Sequence, residues 1–139
     1  GQVPLQLFAS PQYLARRGTP RSLRELDGHD WILFRGMSKL RLDAGSESAI
    51  FKPVGRLECD DMAFARAAAR AGSGIGVLPT FLAEADVTAG HLVRVLPRWN
   101  IRSGSVYFVC PSAKKIPRKV AAFRDFIVEA MKSQPGLVG

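Results

Sequence analysis

The chain is poor in the residues from which catalytic and metal sites are usually built. Its 139 residues contain two histidines and two cysteines. Cys59 and Cys110 are far apart, with no CxxC, so neither a dense disulfide framework nor a Cys/His metal cluster can be assembled. The expectation is two reduced thiols in a cytosolic protein. His29 and His91 each adjoin a glycine turn, and neither HxxxH nor HExxH occurs. GxSxG is absent, which removes the strand-turn-helix nucleophile of the hydrolases. No apolar run approaches the roughly 18 residues of a membrane span. The first residues, GQVPLQLFAS, carry no basic region followed by a long apolar run, so no secretory signal is read. These absences point away from an enzyme, a metal or other cofactor, and a membrane.

What is present suits one domain with a real core. Apolar residues make up 47% of the chain and aromatic residues 9%. The net charge is +8, which admits nucleic acid, an acidic partner or an anionic small molecule. The basic residues are scattered, however. The densest groups, Arg16-Arg17 to Arg24 and Lys114-Lys115 to Lys119, have little aromatic interleaving and read as a solvated basic surface.

Elements of both periods alternate along the chain. Leu5, Leu7 and Ala9 alternate with Gln6, Phe8 and Ser10, a strand pattern. Ser10-Pro11 then opens a helix, hydroxyl cap first and proline second, that runs to Arg17 and ends at Gly18. One helical turn is expected at Ser22 to Leu26, and a strand at Trp31 to Phe34. Leu40, Leu42 and Ala49 to Val54 read as a hairpin around Gly45-Ser46, and Arg56 to Cys59 as a short strand. Asp60-Asp61 precedes an alanine-rich helix, where either carboxylate suits capping of free backbone N–H groups. Its apolar stripe is read as Ala63, Ala67, Ala68 and Ala71, with Phe64 beside it. A buried strand at Ile75 to Leu78 follows, then a helix from Thr80 to Ala85 and a turn at Val87 to Gly90. Strands are expected at Leu92 to Leu96 and Val106 to Cys110, each stopped by proline. Val120, Phe123, Ile127 and Ala130 mark an amphipathic helix from Pro117 to Met131. This order predicts an α/β fold with a mixed or largely parallel sheet flanked by helices.

The stretch RAGSGIGVLP carries Gly72, Gly74 and Gly76. A dinucleotide loop reads GxGxxG, follows a strand and opens a helix. Here the spacing is wrong, and the glycines close a helix and enter a strand, so no helix N-terminus faces a phosphate. Gly72 reads as a left-handed helix C-cap, and Gly74 and Gly76 as positions of tight turn and close backbone approach.

Several of these pieces, taken in order, carry a resemblance. They are Ser10-Pro11-x-Tyr13-Leu14, Leu26-x-Gly28-His29, Ala71-Gly72-x-Gly74-Ile75-Gly76-x-Leu78-Pro79, Gly90-x-Leu92-Val93-x-Val95-Leu96-Pro97, and Lys119-Val120-x-x-Phe123-x-x-Phe126. From about Leu5 to Met131 the chain resembles the effector-binding domain of LysR-type transcriptional regulators. The resemblance implies a truncated, periplasmic-binding-protein-like (type 2) fold with a small-molecule effector in the cleft between two lobes. Residues 1–10 would be the crossover strand from lobe one, 11–105 the effector-binding lobe two, and 106–139 the return strand and C-terminal helix of lobe one. DNA contact would belong to a helix-turn-helix N-terminal to all of this. It further implies a cytoplasmic homo-oligomer, commonly a dimer.

In such proteins polar contacts come from strand-end loops and helix N-termini. The expected effector residues are therefore Ser10, Pro11, Phe34, Arg35, Asp60, Asp61 and Met62, with hinges at Ser10, Pro11, Cys110 and Pro111. Asp60-Asp61 stands where the family often has Asn-Asp. That adds negative charge, disfavours an anionic effector there, or calls for a compensating basic residue nearby. The effector class is left as a small organic acid or amine. Leu40 or Leu42 stands where many relatives carry Trp. Two other functions fit the residues less fully: an extracytoplasmic solute-binding protein of related fold, and a basic nucleic-acid-binding domain.

Overall fold

The computed structural model describes residues 2–55, 57–102, 107–110 and 116–133. Eight strands among them form one mixed sheet. In chain order the elements are β1 (Leu5–Ala9), α1 (Pro11–Arg17), a 3-10 turn (Leu23–Leu26), β2 (Trp31–Phe34), β3 (Leu40–Ala44), β4 (Glu47–Phe51), β5 (Leu57–Cys59) and α2 (Met62–Arg70). They continue with β6 (Ile75–Pro79), α3 (Thr80–Thr88), β7 (Val93–Val95), β8 (Asn100–Ile101) and α4 (Arg118–Lys132). The sheet order is β4-β3-β8-β1-β6-β2-β5, with β7 also paired to β1. Only β2 runs parallel to its neighbours, β5 and β6. The other pairings are antiparallel, so the sheet is mixed and not largely parallel.

Period-two alternation sends β1 side chains to two different cores. Leu7 and Ala9 join Trp31, Ile75, Val77 and Val95 on the face covered by α1, where Tyr13, Leu14 and Leu26 complete the layer. Phe8 joins Ile32 and Leu78 on the face covered by α2 and α3. Gly76 lies on this second face, and a Cβ there would stand 3.6 Å from the Ala69 methyl.

Four local expectations need correction. The buried face of α2 is Ala65, Ala68 and Ala69. Ala63, Ala67 and Ala71 are exposed, and Phe64 is 52% exposed. An alanine run has no large side chain to fix the phase of the stripe, so packing against the sheet decides it. Helix α3 continues to Thr88, because the Ala89 and Gly90 amides still donate to Ala85 and Val87. The second hairpin strand is Glu47–Phe51, set by the two-residue Gly45-Ser46 turn and not by the apolar run to Val54. Tyr107–Cys110 does not form a strand: no neighbour pairs with it among the described residues, and Tyr107 and Val109 are exposed. Apolar β-branched character without a hydrogen-bonding partner does not make a strand. Val106 and Pro111, and the tail beyond Ser133, lie outside the described residues.

Two features are new. β8 was not legible in the sequence. It lies beside β1 in line with β7, after the chain loops out through Leu96–Trp99, where Leu96 has φ 49° and the Trp99 amide donates to the Leu96 carbonyl at 2.9 Å. Helix α4 forms as its periodicity predicts, yet none of its residues is buried and Phe123 and Phe126 are exposed.

Candidate functional site

Strand direction decides which predicted residues meet. β2 and β5 are parallel, with Phe34 level with Cys59. β6 runs the same way, so Pro79 ends on that edge as well. β1 is antiparallel to β6, with Leu5 opposite Pro79, so it begins there. The Thr80 amide donates to the Pro4 carbonyl at 3.0 Å and ties these ends together. One edge of the sheet therefore gathers Pro4-Leu5, Phe34-Arg35, Cys59 to Met62 and Pro79-Thr80.

Five of the expected residues sit on this edge. Phe34 is half-buried at the end of β2, and the next amide, Arg35 N–H, donates to the Cys59 carbonyl at 2.7 Å. That bond carries the β2–β5 ladder one step further and places Arg35 beside Asp60. Their side chains lie 3.6 Å apart, both exposed. The basic residue that Asp60 calls for is thus Arg35. Asp61 is the cap of α2: its Oδ1 accepts from the Phe64 amide at 2.8 Å. Met62 is the first helical residue. The amides of Met62 and Ala63 have no acceptor within the helix, as geometry requires of a first turn, and they open on this edge.

Ser10 and Pro11 are elsewhere. Ser10 is buried and its Oγ accepts from the Tyr13 amide at 3.1 Å, the cap expected of it. It adjoins Gly72, just past the C-terminus of α2, while Asp60 and Asp61 stand at the N-terminus. A nine-residue helix spans about 13 Å, so these residues do not share a site with Asp60. The periodicity of β1 located both ends of the strand without showing which end faces the others. Cys110 is half-buried and a free thiol, as is the buried Cys59.

Two polar networks escaped the sequence reading because their members are distant in sequence. Tyr13 is wholly buried, and its hydroxyl accepts from the Asp30 amide at 2.8 Å and meets His29 Nδ1 at 2.9 Å. With the imidazole neutral and its proton on Nε2, the hydroxyl donates to Nδ1. Burial, with the nearby Arg17 cation, lowers the His29 pKa and favours that form. Burial also raises the Tyr13 pKa. This contact joins Tyr13 to the Leu26-x-Gly28-His29 segment and fastens α1 to the entry of β2. In the second network Asp86 of α3 is buried and accepts from Arg66 of α2, with Arg70 Nε at 3.4 Å and His91 Nδ1 at 3.6 Å. The Arg66 hydrogen bond holds the Asp86 carboxyl below the usual carboxylate range, against the opposing effect of burial. The bond raises the Arg66 pKa in turn. α3 carries two acidic residues, Glu84 and Asp86, and only the fold shows that Asp86 is the buried one. Among the described residues no group of three or more His, Cys, Asp or Glu is placed to hold a metal, and no helix is long and apolar enough to cross a membrane.

A lobe with helices on both faces of a mixed sheet, and with polar strand ends and one helix N-terminus on a single edge, is built as a small-molecule-binding domain. The model of the LysR substrate binding domain matches residues 1–132, and the chain belongs to that family, the effector-binding domain of LysR-type regulators. It is 32% identical over 132 residues to the HTH-type transcriptional regulator PtxR of Pseudomonas aeruginosa, covering 91% of this chain and 42% of PtxR. Against full-length AphB of Vibrio cholerae, a virulence activator of the LTTR family, the TM-score is 0.81 at 28% identity, over 94% of this chain and 46% of AphB. The CrgA regulatory domain of Neisseria meningitidis gives a TM-score of 0.71 at 27% identity, over 94% of this chain and 65% of that one. The chain spans less than half the length of the curated relatives it matches. These relatives are transcriptional regulators and not enzymes.

Proposed function

We propose that this domain senses a small molecule for a cytoplasmic, homo-oligomeric DNA-binding regulator, and that the edge bearing Phe34, Arg35, Asp60, Asp61 and Met62 forms one wall of the effector cleft. Lobe two supplies this wall, and β1 (Leu5–Ala9) is a strand of its sheet. The chain before β1 and the segment 106–139 connect it to lobe one, with Cys110 and Pro111 on the return path, and DNA contact resides in a separate helix-turn-helix. The domain itself performs no catalysis.

The observation that carries the reading is the convergence of three strand ends with the capped start of α2. Arg35 pairs with Asp60 there, and the Met62 and Ala63 amides, which have no acceptor within the helix, are placed to meet a polar group. Effector binding would act by favouring one arrangement of the lobes over another, to the extent of its differential affinity. Thermal-shift screening of the intact regulator against small acids and amines finds the ligand, because a ligand specific to the folded state raises Tm. Asp60→Lys is then expected to change the Kd of a ligand whose charged group lies at the α2 start about tenfold, the size of one close charge interaction of about 1.4 kcal/mol. An unchanged Kd removes Asp60 from the site.

A further inference from the structure

The same edge continues across β1 to β8 and β3, and its character changes on the way. Residues 36–39 cross from β2 to β3 and bring Met37 over the start of β1. A groove of about 320 Å³ opens here, lined by Leu5, Met37 and Ile101 on its apolar side and by Lys39, Arg41 and Arg102 on its polar side. No acidic residue lines it. Its volume is at the lower end of small-molecule sites.

The register exposes an unusual pairing. Leu42 faces Ile101 and Asp43 faces Asn100 on the antiparallel β3–β8 ladder. One step further along, Arg41 faces Arg102, and the Arg102 amide donates to the Arg41 carbonyl at 2.8 Å. Like charges directly opposite on neighbouring strands destabilise a sheet. Arg102 has a partner, since its Nε lies 3.3 Å from Asp43 Oδ2. Arg41 and Lys39 have no carboxylate within ion-pair distance among the described residues. The acidic end of the edge is different: Asp60 is matched by Arg35, and Asp61 is occupied as a helix cap. The unpaired charge at this end of the edge is therefore positive, and it sits beside an apolar floor.

We infer that this groove holds the anionic end of the effector, which is a small organic acid with a hydrocarbon body. Arg41 presents a guanidinium suited to two-point contact with a carboxylate, and Lys39 adds a second cation. The hydrocarbon body lies against Leu5, Met37 and Ile101. Asp60-Asp61 does not exclude an anion, because Arg41 on β3 is five strands away from β5 in the sheet order, at about 4.8 Å per strand. This inference rests on the proposed role of the edge as an effector wall, and it narrows acid or amine to acid.

The test uses the intact regulator and ligands matched in shape but not in charge: benzoate, benzylamine and benzyl alcohol, with hexanoate, hexylamine and hexanol as a second set. The acids are expected to raise Tm and give saturable calorimetric binding, and the amines and alcohols to bind at least tenfold more weakly. Lys39→Gln/Arg41→Gln should weaken acid binding at least tenfold, while Arg94→Gln, an equal loss of charge on an exposed β7 position outside the groove, should change it less than twofold. In the absence of ligand the double variant should keep the wild-type Tm or exceed it, because an unpaired cation opposite Arg102 has been removed. The inference is overturned if amines bind as well as acids, or if the double variant binds acids like wild type. If the double variant has no effect but Asp60→Lys does, the groove assignment falls and the effector wall stands. If no acid, amine or alcohol binds, both fall.

Discussion

The three glycines of RAGSGIGVLP are not equivalent, and replacing each with alanine tests the packing described here. Gly74 has φ 153°, and a Cβ on it would lie 2.8 Å from the Asp30 carbonyl carbon and closer still to its oxygen. That oxygen cannot simply withdraw, because it accepts from the Ile75 amide at 2.8 Å, at the start of the β2–β6 ladder where Trp31 faces Ile75. An alanine there combines a disfavoured backbone region, about 1–3 kcal/mol, with a disturbed hydrogen bond, about 1 kcal/mol, and a backbone shift in a packed core, about 1–3 kcal/mol. Gly74→Ala should therefore cost about 3–7 kcal/mol. Gly72 has φ 79° but space around it, the nearest atoms being Ser10 Oγ and Gln12 Oε1 at 3.5 and 3.6 Å. Only the left-handed backbone opposes a side chain, so Gly72→Ala should cost about 1 kcal/mol. At Gly76 a methyl meets Ala69 at ordinary contact distance with no positive φ, and Gly76→Ala should change stability by about 1 kcal/mol or less. Urea denaturation of the three variants at equal m measures the order directly. If Gly74→Ala is no worse than Gly76→Ala, the close approach of β6 to Asp30 is not what this motif provides.

Two further outcomes follow from the buried networks. Tyr13→Phe leaves the aromatic ring in place but deprives the Asp30 amide and His29 of their shared hydroxyl; a loss of about 1–3 kcal/mol is expected, read as a lower urea midpoint, and a loss below about 0.5 kcal/mol would show that the hydroxyl does not fasten α1 to β2. Asp86 has a folded-state pKa below its ordinary 3.8, chiefly through Arg66. Its contribution is complete above that ordinary value and disappears as pH falls through the lowered one, so stability should decline from about pH 4 downward, and Asp86→Asn should show a flatter decline over the same range in urea titrations at successive pH values.

Much of the architecture was legible because it depends on local chemistry. Ser10-Pro11 and Gly18 bound α1 through capping and backbone preference, and the alternation in Leu5–Ala9 and the apolar run Trp31–Phe34 specify strands whatever surrounds them. The motif order carried the family, since Tyr13 and His29 record a contact between segments sixteen residues apart. Failures came where a partner had to decide. The alanine helix had no phase of its own, β8 is two residues long, and Tyr107–Cys110 has strand-like residues but no ladder to join.

The site divides in the same way. The sequence by itself determined that Phe34, Arg35, Asp60, Asp61 and Met62 stand at element ends, because strand and cap signals are read within a few residues. Only the tertiary structure decided that these ends share one edge and that Ser10 and Pro11 do not. It alone also opposed Arg41 to Arg102, sixty-one positions along the chain. The reason is that side-chain periodicity is identical for a strand running in either direction. Which ends meet depends on whether neighbours pair parallel or antiparallel, and that is settled by the long-range packing of the two faces of the sheet.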